Sequence, residues 1–240
     1  MRLKQNNMRL QRFIGNFNLN EKILAISDAG FYNQLKNVLR LSVGDKLILC
    51  DGKDSEAEVE ITEVSKDNIK LKVGEVKTGG NEPKIKTILY CSILKRENFE
   101  LVVQKATEIG INRIVPILTK RTVKLSLNMA RLEAIAKEAA EQSGRGIVPE
   151  ISRPMSFENA CQDAKTNSVN YFFDISGKQS SLSGSPGPVG LFVGPEGGWD
   201  ENEIHIASEK KFNIVTFGRL TFRAETAAII ASFASISGCI

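Results

Sequence analysis

The pattern of hydrophobic and polar residues changes near residue 80 of the 240-residue chain. Before that point, the stretches KLILC, SEAEVEITEV and NIKLKVGEV alternate apolar and polar positions, which is typical of half-buried strands. The Asp51-Gly52 pair after the first stretch indicates a tight turn. Only residues 29 to 39 have apolar positions at helical spacing. This part of the chain therefore predicts a small β-barrel.

A polar, glycine-containing segment, VKTGGNEP, separates the two patterns. Its glycines, asparagine and proline are typical of a connection between domains. We therefore predict a barrel domain at residues 1–76, a linker at 77–83 and a second domain at 84–240.

Strand patterns alternate with helical patterns after the linker. Six apolar runs predict strands: KTILYCSIL, INRIVPIL, IVPEI, VNYFF, PVGLFV and NIVTF. Helices are predicted for ENFELVVQKATEIG, which ends at Gly110, and for residues 128 to 142. Residues 176–188, SGKQSSLSGSPGP, are poor in apolar side chains and predict a loop. The alternation predicts an α/β domain with a mostly parallel sheet and helices on both faces.

Composition narrows the class of protein. With 42% hydrophobic and 25% charged residues, the chain has the composition of a soluble globular protein. It lacks a long apolar run and a secretory signal, so we expect a cytoplasmic protein without a membrane partner. The four cysteines are scattered, with no CxxC pair, which predicts reduced thiols and no metal site.

Positive charge is concentrated in the middle of the chain. Residues 84–153 contain 13 basic against 7 acidic side chains, whereas residues 154–240 contain 6 against 9. Such an excess could line a surface for a polyanion or could be a solvated face without a partner. The sequence alone leaves both readings open.

The stretch LFVGPEGGWDENEI, residues 191 to 204, is the first candidate binding loop. An apolar strand ends there, and Asp200 with Glu203 forms a helix-capping pair three residues apart. The loop is thus held at both ends, at the carboxyl edge of a sheet where ligands bind in α/β folds. The glycines between them permit positive φ angles and close approach to a ligand. A tight turn with no ligand is the alternative.

A second loop has the same design in NIVTFGRLTFRAETAAIIASFAS, residues 213 to 235. A strand ends at Phe217, Gly218 makes a turn and an alanine-rich helix follows. If the two strands are neighbours, the two loops lie close together. Arg223, Glu225 and Thr226 would then face the same crevice from the first turn of the last helix.

Neither loop has the residues of a phosphate site. A P-loop needs Lys-Ser or Lys-Thr after its glycines, and a dinucleotide fold needs G-x-G-x-x-G at the start of a helix. Both are missing from these loops. Glu196 adds a negative charge that would repel phosphate and suit a cation or a sugar hydroxyl.

Taken in order, six segments resemble the RsmE-type methyltransferases of the SPOUT class, which methylate N3 of a uridine in 16S ribosomal RNA of the small subunit. The segments cover nearly the whole chain: MRLQRFI, VLRLSVGD, LVVQKATEIGINRIVPILTKRTV, EAAEQSGRGIVPEI, LFVGPEGGWDENEI and FGRLTFRAETAA. The resemblance implies a PUA-like β-barrel that binds RNA and a C-terminal domain tied in a deep trefoil knot. It also implies a homodimer that binds S-adenosyl-L-methionine and acts on small-subunit ribosomal RNA or the 30S particle.

Residue by residue, the resemblance implies cofactor contacts from both loops: Gly194, Pro195, Glu196, Gly197, Gly198, Phe217, Gly218, Leu220, Thr221 and Phe222. We hypothesise that Arg223 stabilises negative charge developing on the base and that Glu225 orients this arginine or receives the proton. The candidates for RNA contact are basic residues of both domains: Arg9, Arg12, Arg40, Lys95, Arg96, Lys120, Arg121 and Arg145.

Three other functions remain open at this level. The chain could be a noncatalytic RNA-binding factor for ribosome assembly, or a SPOUT enzyme that methylates the ribose 2′-hydroxyl. It could also be a small-molecule nucleotide enzyme, which predicts ATP binding.

Overall fold

The computed structural model describes residues 10–78, 81–122, 126–179, 182 and 187–237. The chain divides into two compact units. The first comprises the residues up to Glu82 together with Glu141–Ile147, and the second comprises Pro83–Ala140 and Val148–Ile240. None of the described helices is both long and apolar enough to cross a bilayer.

The first unit contains a five-stranded sheet. Its strands are β1 (Arg12–Ile14), β2 (Ile23–Ile26), β3 (Lys46–Cys50), β4 (Ser55–Val64) and β5 (Ile69–Thr78). They lie in the order β1-β3-β4-β5-β2, and only the β1-β3 pair is parallel. Helix α1 (Ala29–Asn33) and a turn of π-helix (Gln34–Val38) interrupt the strands where helical spacing was predicted. Alternate apolar side chains of β3, β4 and β5 form the core of this unit.

A short segment from later in the chain completes the first unit. Glu141 accepts a hydrogen bond from the backbone N–H of Ile14 at 2.9 Å, and Asn81 donates one to the carbonyl of Gly144 at 2.8 Å. Arg145 forms a buried ion pair with Glu82, with 2.7 Å between Nη2 and Oε2. The single boundary predicted from the sequence does not include this segment.

The second unit is an α/β structure. Its strands are β6 (Thr87–Ser92), β7 (Arg113–Leu118), β8 (Glu150–Ile151), β9 (Met155–Ser156), β10 (Val169–Gln179), β11 (Val189–Val193) and β12 (Asn213–Thr216). Its helices are α2 (Arg96–Ile109), α3 (Met129–Ser143), α4 (Phe157–Asp163), α5 (Glu201–Glu209) and α6 (Ala224–Ser237). The sheet order is β12-β10-β11-β6-β7-β8, with β9 also paired to β7, and all these pairs are parallel. The trefoil knot implied by the resemblance stays a prediction.

Both faces of this sheet are covered because successive side chains of its strands point in opposite directions. On β6, Leu89 and Cys91 pack with residues of α2, α3 and α6, whereas Tyr90 packs with residues of α4 and α5. Neighbouring strands repeat the pattern, so Phe172 and Phe192 lie on the Tyr90 side. The predicted α/β architecture with helices on both faces is confirmed.

All six strands predicted for the second domain are present, and Gly110 ends α2 in a left-handed conformation with φ of 115°. The loop predicted for residues 176–188 is wrong at its start, because β10 continues to Gln179. Val215 of β12 pairs with Lys178, so backbone hydrogen bonding extends a strand whose sequence is polar. Residues 180–181 and 183–186 lie outside the described residues.

Candidate active site

The candidate site lies at the carboxyl edge of the parallel sheet. The glycine loop, Gly194–Asp200, follows β11, and the second loop, Phe217–Arg223, follows β12. The turn after β7, Thr119–Thr122, lies at the same edge. Parallel strands all end on one side, so these segments converge there.

Trp199 shapes the glycine loop from within. Its indole is buried, stacks on Phe172 and donates a hydrogen bond from Nε1 to the carbonyl of Phe173 at 2.9 Å. A Cβ atom at position 194 would lie 2.9 Å from Cε2 of this ring, which is too close for any side chain. Gly194 is therefore required by the tryptophan rather than by a positive φ angle.

Gly198 is the glycine of this loop that adopts the left-handed conformation, with φ of 69°. Its N–H donates to the carbonyl of Pro195 at 2.9 Å and closes a tight turn. No described atom lies within 4 Å of the position that a Cβ would take at Gly198, so the backbone there is open to a ligand.

The capping pair predicted from the sequence is confirmed and holds two segments together. Glu203 is 5% exposed, and its Oε2 accepts from the N–H of Asp200 at 2.9 Å in a capping box. Its Oε1 accepts from the N–H of Lys120 at 2.9 Å. The Lys120 ammonium also pairs with Asp200 at 3.1 Å, which lowers the pKa of that carboxyl. One carboxylate thus fixes the glycine loop to the turn after β7.

The second loop turns at Gly218, whose φ of 121° is accessible to few other residues. The half-buried ring of Phe217 packs edge-on against Phe222, with 5.7 Å between ring centroids. Leu220 and Thr221 are exposed. Of the residues assigned to cofactor contact in this loop, Phe217 and Phe222 thus pack against each other, whereas Leu220 and Thr221 project into solvent.

The two loops are not on neighbouring strands, because β10 lies between β11 and β12. The condition under which the sequence placed the two loops side by side is therefore not met. Two strand spacings separate β11 from β12, which is about 10 Å. Phe173, in the middle of β10, pairs with Val193 at the end of β11 and bridges the gap. Its carbonyl accepts from Trp199, and its ring stacks on Phe217 with centroids 4.6 Å apart.

Arg223 and Glu225, the proposed catalytic pair, lie on either side of the first residue of α6, and their side chains differ in burial. Arg223 is exposed, and its carbonyl accepts from the N–H of Ala227 at 2.8 Å. Glu225 is 8% exposed, and its Oε2 is buried without a hydrogen-bond partner among the described residues. No hydrogen bond or ion pair joins these two described side chains. A buried carboxylate oxygen without a partner is costly, so this atom fits a donor or cation supplied by a ligand.

A cluster of hydroxyl groups at this edge was missed by the sequence analysis. Ser92, Thr119 and Thr122 contact one another with oxygen separations of 2.7 to 3.2 Å. Thr122 Oγ1 also accepts from the N–H of Thr119 at 2.9 Å. The signal was available, because Ser92 ends one buried strand and Thr119 follows the next, but isolated serine and threonine residues carry no spacing motif.

Five of the basic RNA-contact candidates are exposed: Arg40, Lys95, Arg96, Lys120 and Arg121. Three of these lie beside the glycine loop. The N–H of Lys95 donates to Glu196 at 3.4 Å, Lys120 pairs with Asp200, and Arg121 donates from Nη1 to the carbonyl of Gly197 at 2.9 Å. Arg40, in the first unit, has φ of 56°, a conformation uncommon for a side chain of its size.

Of the remaining three RNA-contact candidates, two have buried side chains and one lies outside the described residues. Arg12 has a side chain only 8% exposed that pairs with Glu56, and Arg145 is 3% exposed and bound to Glu82. Both guanidinium groups hold the first unit together, so their burial removes them from the RNA-contact set. Arg9 lies outside the described residues.

The described residues contain no group of three side chains that could hold a metal ion. Cys50, Cys91 and Cys161 are free and buried. Burial raises the pKa of the Cys161 thiol to about 12, which makes it unreactive at neutral pH.

A family model described as an RNA methyltransferase domain matches residues 81–235, and one described as an RNA methyltransferase PUA domain matches residues 35–74. Ribosomal RNA small subunit methyltransferase E from Rickettsia conorii is 33% identical over 223 residues, which are 88% of each chain. The chain belongs to the ribosomal RNA small subunit methyltransferase E family. This membership confirms the PUA-like β domain followed by an α/β methyltransferase domain.

Two further members of the family are similar to this chain in sequence or in structure. The enzyme of the same name from Mesomycoplasma hyopneumoniae is 35% identical over 166 residues, 67% of this chain and 73% of that protein. The crystal structure of a family member from Neisseria gonorrhoeae, bound to S-adenosyl methionine, superposes with a TM-score of 0.84. It is 28% identical and the alignment covers 93% of this chain and 95% of that one.

Proposed function

We propose that this chain is an S-adenosylmethionine-dependent methyltransferase that modifies N3 of a uridine in 16S ribosomal RNA of the small subunit. The observation that carries the proposal is the pair of loops at the carboxyl edge of the sheet, linked through Phe173, in a chain of this family. The domain from about residue 84 to the C-terminus would bind the cofactor and carry out the reaction. The PUA-like domain, residues 1–76, would bind RNA.

The two loops fit this cofactor in three respects. Gly198 and Gly218 expose backbone with no side chain in the way, as adenine and ribose recognition requires. The loops place no lysine where a phosphate would bind. The unpartnered Oε2 of Glu225 suits a ligand that carries positive charge or N–H donors. When bound, S-adenosylmethionine supplies an electrophilic methyl group on a sulfonium.

The exposed Arg223 and the buried Glu225 would have different roles in removing the proton from the base and stabilising the resulting charge. N3 of uracil must lose its proton before its lone pair can attack, so negative charge develops on the base. The exposed Arg223 guanidinium can stabilise that charge on the side from which RNA arrives. The buried Glu225 accepts a proton or holds a cationic group, because its free oxygen is an acceptor.

The RNA surface of the second unit would be formed by the exposed basic side chains around the glycine loop. Lys95, Arg96, Lys120 and Arg121 lie on the loops and helix that follow β6 and β7. Phosphate groups held there would fix the register of the RNA so that one base reaches Arg223. Arg40 extends the proposed contacts to the first unit.

We also propose that the enzyme is a homodimer and acts in the cytoplasm, where small subunits are assembled. Phe222 and Phe233, before and within α6, are 36% and 55% exposed, and Leu101 of α2 is 38% exposed. Helices α2 and α6 pack against each other, so these apolar residues belong to one region of the second unit. Such a face is typical of an interface between copies.

One experiment tests the reaction directly. Small-subunit RNA and 30S particles from cells lacking this protein are incubated with the purified enzyme and isotopically labelled S-adenosylmethionine, and the RNA is then digested to nucleosides. We expect the label in 3-methyluridine. Label in a 2′-O-methylated nucleoside would assign the enzyme to ribose methylation. No transfer, with RNA still bound, would support the noncatalytic factor, and tight ATP binding in place of the cofactor would support a nucleotide enzyme.

A further inference from the structure

A lysine-lined pocket lies at the opposite, amino edge of the same parallel sheet. It has a volume of about 420 Å³ and is formed where β10 and β12 begin, between the end of α4 and the end of α5. Its charged lining consists of Lys165, Lys210 and Lys211, with no carboxylate. Among the described residues, none of these lysines forms an ion pair or donates a side-chain hydrogen bond. The formal charge of the pocket lining is therefore about +3, with no carboxylate of the lining to neutralise it.

Three asparagines line the pocket, and hydrogen bonds orient the amides of two of them, Asn167 and Asn170. Asn170 donates from Nδ2 to the carbonyl of Ala164 at 3.0 Å, so its Oδ1 is free to accept from Nδ2 of Asn167 at 2.8 Å. This leaves Oδ1 of Asn167 as an acceptor, and that atom is buried without a partner in the described structure. Buried acceptors are nearly always satisfied, so this atom fits a donor supplied by a water molecule or a ligand.

The strand next to this pair is shaped to admit it. Gly190 lies inside the buried strand β11, where glycine weakens a strand. A Cβ at this position would lie 2.1 Å from Oδ1 of Asn170 and 2.5 Å from Nδ2 of Asn167. The asparagine pair is therefore accommodated at a cost to the sheet, which is unexpected for two incidental surface side chains.

Lys211, which also lines the pocket, has an unfavourable backbone conformation. It follows the last turn of α5 with φ of 59°, and Phe212 donates to the carbonyl of Ala207 at 3.0 Å, as in a helix end that favours glycine. A lysine there is strained, although positive charge at a helix C-terminus is favourable. The helix dipoles favour lysines at the ends of both α4 and α5, but they do not account for the free asparagine oxygen.

We propose that this pocket binds the ribose-phosphate backbone of RNA, as a second contact site remote from the cofactor loops. The lysines match a phosphate, and a ribose 2′-hydroxyl can donate to Oδ1 of Asn167, which deoxyribose cannot. The inference rests on the proposed function, because a substrate RNA that reaches around one edge of the sheet supplies the ligand. A strand of five residues separates the two edges by about 17 Å.

The test compares two double variants that change net charge equally. Lys165→Gln with Lys210→Gln removes two pocket charges, whereas Lys105→Gln with Lys137→Gln removes two from the helices α2 and α3. Binding of a labelled small-subunit RNA hairpin is measured by anisotropy over a range of salt concentrations. We expect Kd to rise about tenfold for the pocket variant and its salt slope to fall by about 1 to 2, with the control within about twofold of wild type.

Two single variants separate binding from folding. Lys211→Gly relieves the strained φ angle, so its Tm should be equal or higher while RNA affinity falls. Asn167→Ala should reduce the preference for the RNA hairpin over a DNA hairpin of the same sequence, with cofactor affinity unchanged. Inorganic phosphate should compete only weakly, because it offers one of the two groups recognised.

Several results would overturn the inference. Equal Kd values and salt slopes for the two double variants would exclude the pocket from RNA binding. So would a more stable Lys211→Gly protein with unchanged RNA affinity. Competition by inorganic phosphate as strong as that by RNA would identify a simple anion site. In each case wild-type methyl transfer would leave the proposed function intact, whereas a wild type that neither binds nor methylates RNA would refute that function itself.

Discussion

Phe173 is the residue through which the two loops of the site depend on each other. Its carbonyl holds the glycine loop through Trp199, and its ring holds the second loop through Phe217. Because both contacts belong to one residue on a central strand, a shift in one loop is transmitted to the other. The core residue Phe173 thus preorganises both loops.

At Gly194, substitution by alanine should be destabilising. The added Cβ would lie 2.9 to 3.0 Å from the nearest atoms of the Trp199 indole, so the ring must move and strain its bond to Phe173. We expect a loss of about 1–3 kcal/mol in the free energy of unfolding and weaker cofactor binding. Trp199 is the only tryptophan of the chain, so its fluorescence reports both the unfolding and the local change.

Gly197→Ala is the matched control for stability, because its added Cβ would meet nothing closer than 3.6 Å. It should unfold like the wild type or within about 0.5 kcal/mol of it. Equal destabilisation of the two variants would show that the loop needs glycine for a reason other than the indole.

At Arg223, substitution by alanine should lower methyl transfer by about 100- to 1000-fold, as loss of a preorganised charge does in other enzymes. The side chain is exposed and makes no ion pair in the described structure, so its removal should leave the Kd for S-adenosylmethionine and the Tm nearly unchanged. Single-turnover rates and calorimetry measure the two quantities separately.

Arg219→Ala, in the same loop and also exposed, is the control and should retain most activity. A parallel loss of turnover and cofactor affinity in Arg223→Ala would assign this arginine to cofactor binding instead.

At the scale of elements, the start of α5 forms a joint, because Glu203 in its first turn binds both the glycine loop and the turn after β7. The sequence predicted its capping pair, because Asp and Glu three residues apart at a helix start satisfy each other's backbone N–H groups. The second oxygen of Glu203 also takes the N–H of Lys120, which the spacing could not reveal. A local motif thus also serves a tertiary contact.

Glu203→Ala should therefore cost more than loss of a cap alone. It leaves the N–H groups of Asp200 and Lys120 without their acceptor, for an expected loss of about 2–4 kcal/mol in unfolding free energy. Freed from the turn after β7, the glycine loop should also bind the cofactor several-fold more weakly. Fluorescence-monitored denaturation and calorimetry measure the two effects. The exposed Glu201→Ala, in the same turn, should change neither by much, and equal effects of the two variants would contradict the joint.

A second joint, between β6, β7 and α4, gives the second unit a dependence on pH. The Tyr90 hydroxyl and the Arg113 guanidinium both bind Asp163, at 2.5 Å and 2.9 Å. Partial burial acts to raise the pKa of this carboxyl, but the two hydrogen bonds and the arginine charge outweigh it and lower the pKa. The stabilisation is thus complete above about pH 4, the unfolded value, and is lost as pH falls through the lower folded value.

Asp163→Asn should be destabilised by about 1–3 kcal/mol at pH 7, and the difference from wild type should shrink below pH 4. Trp199 fluorescence follows unfolding of this unit at both pH values. Glu158→Gln, an exposed change on the same helix, is the control. A constant difference between Asp163→Asn and wild type from pH 7 to pH 3 would exclude the ionised aspartate as its cause.

Strand order is the part of the fold that the sequence could not supply. Buried runs such as VGLFV were recognisable because apolar residues end abruptly at glycine and proline. The insertion of β10 between β11 and β12 depends on tertiary pairing. The sequence therefore could not show that the two loops follow strands that are not neighbours. The burial of Arg12 and Arg145 could not be predicted for the same reason, since their partners lie 44 and 63 residues away.

At the scale of the whole molecule, the exposed apolar residues near α6 bear on assembly. A stable homodimer buries about 800 Å² on each partner, around a centre of aromatic or aliphatic side chains. Phe233, with 55% of its surface exposed on α6, is the best candidate for such a centre. Glu225 lies in the first turn of the same helix and Arg223 immediately precedes it, so an interface on α6 would adjoin the proposed catalytic pair.

Phe233→Asp should therefore convert the proposed dimer to a monomer and lower methyl transfer together. Burying an unpaired carboxylate in an apolar interface costs several kcal/mol, which is enough to raise the dimer Kd by more than about 100-fold. Sedimentation equilibrium gives the dissociation constant, and turnover measured above and below it tests whether activity follows assembly. Val43→Asp places the same charge on an apolar side chain 60% exposed in the first unit and should stay dimeric. A wild type that sediments as a monomer, or a Phe233→Asp protein that stays dimeric, would show that α6 does not form a dimer interface through Phe233.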